Sequence, residues 1–333
     1  MTFKNEVVNY SKGLGLDAVG FTYCRRFNEL EDFLKERKER KIENEFEEPD
    51  IEKRINPKLY MGDGKTIISI AFPYYGGDSQ REDVYFSYYT MGMDYHKVVE
   101  SYLKKICDFI KEKFCGKAEY FVDSNALPER YIAYLSGLGF IGRNGMLITE
   151  KYGSYVFLGE IITDIEVEDL KNNKREVEEL LKFKNCGQCK KCLSNCPTSA
   201  INYNKTIPNI CMSYITQSKV IEKPFINKMD GRIFGCDHCQ ICCPYNENIA
   251  TDYIKEFEPM DYMKKADIEE IIYMDNKTFR EKYGTTSCGW RGKATLQRNA
   301  LIAKILKKQE FDIDEEKITS PKVQEYYEIL KKL

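Results

Sequence analysis

Nine of the thirteen cysteines fall between Cys186 and Cys243, and no other feature restricts the fold of this chain as much. The first run, CGQCKKCLSNCP, places Cys186, Cys189, Cys192 and Cys196 three, three and four residues apart and ends on Pro197. The second, CDHCQICCP, repeats the logic with Cys236, Cys239, Cys243 and Pro244, one residue longer before its last ligand. Cys211 stands between the runs. The first spacing is that of bacterial ferredoxins, in which three close thiolates hold one 4Fe–4S cube and the cysteine before proline reaches a second. Structural zinc is the alternative for paired CxxC units, but zinc sites rarely use so compact a run. Two cubes need eight ligands. Crossed ligation gives one cluster to Cys186, Cys189, Cys192 and Cys243, and the other to Cys196, Cys211, Cys236 and Cys239. Cys242 is left over. The scattered Cys24, Cys107, Cys115 and Cys288 read as ordinary packed thiols.

Two cubes in series imply electron transfer, yet a ferredoxin needs far less chain than this. Residues 1–185 precede the first cluster cysteine, so the electrons go to something bound there. That part reads as α/β. TIISIAFPYY (66–75) and AEYFVDS (118–124) have the apolar, β-rich character of strands. YHKVVESYLKKICDFIKEKF (95–114) has helical spacing of Val98, Leu103, Ile106 and Ile110. LPERYIAYLSGLG (127–139) reads as a helix stopped by glycines, and 145–165 as a strand hairpin around Gly153. A charged helix is expected over 167–184, and helical, charged chain after about residue 250. The expected organisation is an α/β domain (1–175), a two-cluster ferredoxin-like domain (176–250) and a short helical segment (251–333).

The net charge of −2 gives no global electrostatic case for a nucleic-acid partner. One local stretch does: 285–308 carries six Lys or Arg, no acid and the only Trp. Cations for phosphate with an aromatic for a base make an RNA footprint, and the competing reading is a solvated amphipathic helix. The N-terminus has no signal-peptide pattern and no apolar run approaches a bilayer span. A cytoplasmic monomer is expected.

Several further blocks accompany the cysteines: GMDYHKVV (92–99), FVDSNALPERYIAYLSGLGFIGRNGMLI (121–148), GSYVFLGEIITD (153–164), CMSYITQSK (211–219), GRIFGCDHCQICCPYN (231–246) and WRGKATLQRNA (290–300). With them the chain resembles the epoxyqueuosine reductase family, over about residues 50–300. The resemblance implies a cobalamin held by the N-terminal domain beside one cube, electrons passing through the cubes to cobalt, and loss of the epoxide oxygen of epoxyqueuosine in tRNA, the last step of queuosine synthesis. It implies Asp123 as proton donor, with a pKa raised by burial against the macrocycle. The competing reading of Asp123 is a helix cap near residue 128. Cobalamin contacts carry over to Asn144, Leu147, Ser213 and Asp237, with Asp123 itself, Arg54 and Tyr95. Contacts to tRNA carry over to Gln217, Lys219, Trp290, Arg291, Lys293 and Arg298. His96 reads as packing at a helix start, and His238 as a tuner of cluster potential. A ferredoxin, flavodoxin or similar protein is the expected electron donor. Longer members continue into a helical-repeat tail, most of which this chain lacks. The alternatives are a cobalamin and iron–sulfur reductase of a small molecule, as in reductive dehalogenases, and a non-catalytic electron-transfer protein.

Overall fold

The computed structural model describes residues 2–77, 82–168, 170, 180–202 and 206–332. The helix expected over 167–184 falls largely on residues outside that set. The strands are β1 (Val19–Tyr23), β2 (Thr66–Pro73), β3 (Tyr85–Phe86), β4 (Ala118–Phe121), β5 (Phe140–Ile141), β6 (Leu147–Ile148), β7 (Val156–Thr163) and β8 (Arg232–Phe234). The main sheet has the order β1-β2-β7-β4, and every pairing in it is antiparallel. The chain therefore mixes helix and sheet without the parallel crossovers of a doubly wound fold.

All eight residues of β2 are buried, because the sheet is covered on both faces. Ile68, Ile70 and Phe72 face one core with Leu103, Ile106 and Ile110 of the helix Tyr95–Phe114. Ile67 and Ala71, one step out of phase, face a second core with Ile132 and Leu135 of the helix Glu129–Leu135. That alternation is the period-two rule of a strand applied to a two-sided core. Each fully buried Ile, Leu or Phe contributes about 1.5–3 kcal/mol. Gly159 allows the long helix to lie close on β7, since a Cβ there would meet Val99 and Leu103 at 2.8 Å.

The hairpin expected around Gly153 is not formed as such. Thr149 and Gly153 bridge in a tight turn, but β6 pairs with β5, while β7 enters the main sheet between β2 and β4. The buried partners of β7 outweigh its sequence neighbour. Cys115 also departs from expectation. It is exposed and ends the long helix in the left-handed region, with φ of 53°, whereas Cys24, Cys107 and Cys288 are buried.

A third core joins distant parts of the chain. Val84, Phe86 and Met91 pack with Ile233, Phe234, Leu296, Leu301 and Tyr326. β3 pairs in parallel with β8, Tyr85 opposite Arg232. This fixes the second cysteine run against the N-terminal part. Gly235, at φ of 79°, makes the approach possible: a Cβ there would meet that of Ser87 at 2.4 Å. Among the described residues no helix is long and apolar enough to cross a membrane.

Candidate functional site: two thiol quartets and a cavity

Three thiols of the first quartet come from the turn at Cys186–Cys189 and the short helix Lys191–Asn195. The fourth, Cys243, follows the helix His238–Ile241. Cys186, Cys189, Cys192 and Cys243 line one small pocket with Arg143, Asn144, Lys191 and Tyr245. Cys196, Cys211, Cys236 and Cys239 line a different space, a cavity of about 1080 Å³. Each space is thus lined by four of the eight cysteines read as cluster ligands. Cys242 lines neither space.

The thiols ring a space rather than converge on a point. Among the described residues, no three metal-ligating side chains lie close enough to share a single ion. Their crowding still demands positive charge. Burial, then the neighbouring thiols, pushes Cys192 up to about 11. Burial and then Cys236 do the same to Cys211, and Cys239 is raised well above its ordinary value by burial, then Cys211 and Cys236. Thiols held so close become ligands only if a metal replaces their protons.

The large cavity runs from the second quartet to the loop after β4. Arg54, Tyr95, Asp123, Asn144, Leu147, Ser213 and Gln217 all lie on its wall. Asn144 lines both spaces, and its Nδ2 donates to the Cys239 carbonyl at 3.3 Å. Arg54 is already paired with Glu43 at 3.0 Å and Glu47 at 3.3 Å. The volume reaches the upper end of small-molecule sites and suits a macrocycle.

Asp123 does not cap a helix. The helix Glu129–Leu135 begins after Pro128 with no side-chain cap, and Asn125 Oδ1 takes the Leu127 amide instead. Asp123 stands in the left-handed region, φ 43°, with its amide donating to Glu129 Oε1 at 2.7 Å. Its side chain is 54% exposed, and that exposure is toward the cavity. Asp123 Oδ2 lies 3.0 Å from His96 Nε2, and Tyr95 also hydrogen-bonds the carboxylate. On the other side of the ring, His96 Nδ1 is 2.8 Å from Asp94 Oδ1.

This arrangement reverses the expected electrostatics of Asp123. Burial does oppose its charge, but hydrogen bonds from His96 and Tyr95 outweigh burial and lower its pKa. His96 gains what Asp123 loses: burial disfavours its cation, yet Asp123 and Asp94 raise it to about 9. At neutral pH the proton therefore rests on His96. Glu129 is pushed up to about 7 by burial and then by the Asp123 charge. Behind it, the fully buried Glu160 accepts from Ser69 Oγ at 3.2 Å and is raised by burial, then by Glu129.

Two residues given to ligands by sequence are placed elsewhere. Asp237 is fully buried and off the cavity wall, its carboxylate accepting from the Ser87 hydroxyl and from the Tyr88 amide at 3.1 Å. Arg298 is fully buried, so it meets no RNA. It donates to the carbonyls of Ser218 at 2.7 Å, Lys219 at 3.2 Å and Thr216 at 3.1 Å. Four of the six cations in the basic stretch meet acids remote in sequence: Arg291 meets Glu45, Lys304 meets Glu269 and Asp312, Lys307 meets Asp230, and Lys308 meets Asp83. What stays open is aromatic. Trp290 is 56% exposed and packs edge-on to Phe46 at 5.1 Å, with its Nε1 donating to Gln217 Oε1 at 3.2 Å. Lys219 is exposed and away from the cavity wall, and Lys293 is half-buried.

Sequence reasoning missed His96 and Glu129. Twenty-seven residues separate His96 from Asp123, and only the packing of the long helix against β4 joins them. Glu129 left a faint signal, an acid in the first turn of a helix behind a polar loop.

With this geometry the relatives can be placed. The family described as "Epoxyqueuosine reductase QueG, DUF1730" matches residues 54–124, and the "4Fe-4S double cluster binding domain" matches 185–246. The epoxyqueuosine reductase of Bacillus subtilis is 36% identical over 313 residues, covering 90% of this chain and 78% of the relative. A solved epoxyqueuosine reductase with a tRNA-Tyr epoxyqueuosine-modified tRNA stem loop superposes with a TM-score of 0.82 at 30% identity, covering 98% of each chain. A Bacillus subtilis epoxyqueuosine reductase, solved with its catalytic Asp loop swung out of the active site, gives 0.83 at 32% identity, covering 99% of this chain and 94% of that one. The shared length, the double-cluster segment and the common fold make one statement: this chain belongs to the epoxyqueuosine reductase family.

Proposed function

We propose that the chain reduces epoxyqueuosine in tRNA to queuosine, with electrons entering at the outer quartet and used in the large cavity. The observation that carries this reading is that Asp123 and the second quartet face one cavity. Cobalamin in that cavity, with 4Fe–4S clusters on the two quartets, would supply the electron pair that loss of an epoxide oxygen requires. Asn144, Leu147, Ser213, Tyr95 and Arg54 would hold the corrinoid, since they line the wall between the quartet and the loop.

The protein's own part is protonation. Opening an epoxide leaves charge on oxygen, and a positioned acid must meet it. Asp123 Oδ2 faces His96 Nε2, so Asp123 donates by passing on a proton that His96 stores, and Asp94 orients the ring. Tyr95 fixes the carboxylate from its other side. The loop has room for more than one position, as the solved relative with its catalytic Asp loop swung out suggests. Gln217, Lys219, Trp290, Arg291 and Lys293 mark the rim where the RNA would lie, with the exposed Trp290 and Phe46 faces available to an unstacked base. The relative solved with a stem loop is matched over 98% of its chain, which supports the reading of tRNA as substrate.

The test is anaerobic. The protein is reconstituted with iron, sulfide and cobalamin, reduced, and incubated with tRNA bearing epoxyqueuosine, whose nucleosides are then weighed. Loss of one oxygen is the expected result. Full cofactor loading without that loss would overturn the substrate.

A further inference from the structure

Among the described residues arginines are the largest fully buried side chains, and one of them borders the cluster cysteines without a part in the mechanism above. Arg232, in β8, is 1% exposed. Its Nη1 donates to the carbonyls of Lys228 at 3.1 Å and Met229 at 2.8 Å. Its Nη2 meets the His238 ring at 2.9 Å, and the guanidinium lies 5.7 Å over the Tyr85 ring. Among the described residues its ion pair is a long one. Asp230 Oδ2 is 4.0 Å away and that side chain is bonded to Lys307 at 2.7 Å, while the buried Asp237 turns to Ser87 and Tyr88. What Arg232 does face is the cavity-side quartet. It hydrogen-bonds Cys236, and His238 stands between them with its Nδ1 4.0 Å from Cys236 Sγ.

A buried guanidinium whose carboxylate is distant and shared is costly, so its position asks for a further compensating negative charge. A cluster held by four thiolates is such a charge, and reduction makes it more negative. A fixed cation at contact distance, away from water, favours the reduced form far more than one in solvent would. The cations of the outer pocket are less buried: Arg143 is half-buried, with its Nη2 donating to the Gly187 carbonyl at 3.2 Å, and Lys191 is 56% exposed and shared with Glu247.

We propose that Arg232 raises the reduction potential of the cavity-side cluster, so that an electron arriving from the outer cluster comes to rest beside the cavity. The proposal rests on the two-cluster reading and not on the identity of the substrate.

The experiment is a redox titration of the reconstituted full chain, followed by electron paramagnetic resonance, with iron and sulfide content measured alongside. A chain with Cys189→Ala identifies the outer signal. In Arg232→Met the reduction equilibrium of the cavity-side cluster should move at least tenfold toward the oxidised form, which is 59 mV for a one-electron couple. The outer midpoint should stay in place, and Arg232→Lys should restore most of the shift. An unmoved midpoint at full iron content would overturn the proposal, as would a lysine variant shifted as far as the methionine one. If Arg232→Met loses iron, Arg232→Gln is read in its place. If both neutral variants lose the cavity-side cluster and lysine keeps it, the charge is confirmed. If lysine loses it too, Arg232 is only a clamp on the fold and the proposal falls. A wild-type chain that takes up only one cluster's iron would instead defeat the two-cluster reading itself.

Discussion

The outer quartet, Cys186, Cys189, Cys192 and Cys243, lines a small pocket shared with the exposed Lys191 and Tyr245. The cavity-side quartet, Cys196, Cys211, Cys236 and Cys239, forms part of the wall of a space large enough for a macrocycle. The same residue type serves both, but the surroundings differ. The exposed Lys191 and the half-buried Arg143 lie beside the first, whereas Asp123, its partner Tyr95 and the perturbed Glu129 lie on the cavity wall of the second. The difference gives the pair a direction. Electrons can be handed over where a partner can approach, and spent where water and stray partners are kept out.

The sharpest way to test that direction is to remove the acid from one side. Asp123→Asn keeps the shape of the loop and loses the proton carrier. Turnover should fall by about 10²–10⁴-fold, the usual worth of a positioned acid. Iron content and both cluster midpoints should be unchanged. An active Asn variant would take Asp123 out of the chemistry and leave the cavity without a distinct role.

The next effect is on stability. Arg298 ties three carbonyls of the segment that follows the cavity-side ligand Cys211. Arg298→Met takes the side-chain donor from the Ser218 and Lys219 carbonyls and leaves that of Thr216 to Asn299 Nδ2 at 2.7 Å, which should cost about 2–4 kcal/mol in chemical denaturation. Loss should show first in iron from the cavity-side site. Tolerance of the change would mean that the second quartet is held less rigidly than its burial implies.

A smaller effect reads out in pH. His96 stores its proton up to about 9, and its pKa is raised in the fold. The pairing with Asp123 and Asp94 therefore stabilises the loop fully below the ordinary histidine value near 6.5, and that support is lost as pH rises through about 9. Turnover should hold across neutral pH and fall over the same alkaline range. His96→Gln should lower turnover about tenfold at neutral pH and abolish that alkaline limb. A limb that survives the substitution belongs to another group.

Sequence showed the double-cluster segment almost whole, because covalent spacing and the demand of a cube for thiolates act locally. The helix Tyr95–Phe114 was equally plain, since its buried positions recur at helical spacing. The site around Asp123 was half legible. The aspartate stood out in its block, but the group that sets its charge comes from a helix start 27 residues earlier. The basic stretch misled for the converse reason. It contains no acid, yet Glu45, Asp83, Asp230, Glu269 and Asp312 reach it from elsewhere in the chain. Charge balance is a property of the folded surface, and a window of sequence cannot report it. The strand β7 shows the same limit in the backbone: it left its sequence neighbour for the centre of the sheet.

The smallest expected effect is the most useful control. Lys191 lines the outer pocket as Arg232 borders the cavity-side quartet, and both carry one positive charge. Lys191 is 56% exposed and lies 3.6 Å from Glu247, itself 62% exposed. Water and salt screen such a charge, and a surface pair of this kind contributes about 0–1 kcal/mol. Lys191→Ala should therefore leave stability within about 1 kcal/mol of the parent and move the outer midpoint much less than Arg232→Met moves the inner one. Raising the ionic strength should shrink the Lys191 effect further and leave the Arg232 effect nearly intact, because salt reaches one site and not the other. Equal shifts at the two quartets would show that burial does not separate them, and the direction assigned to electron flow would lose its physical basis.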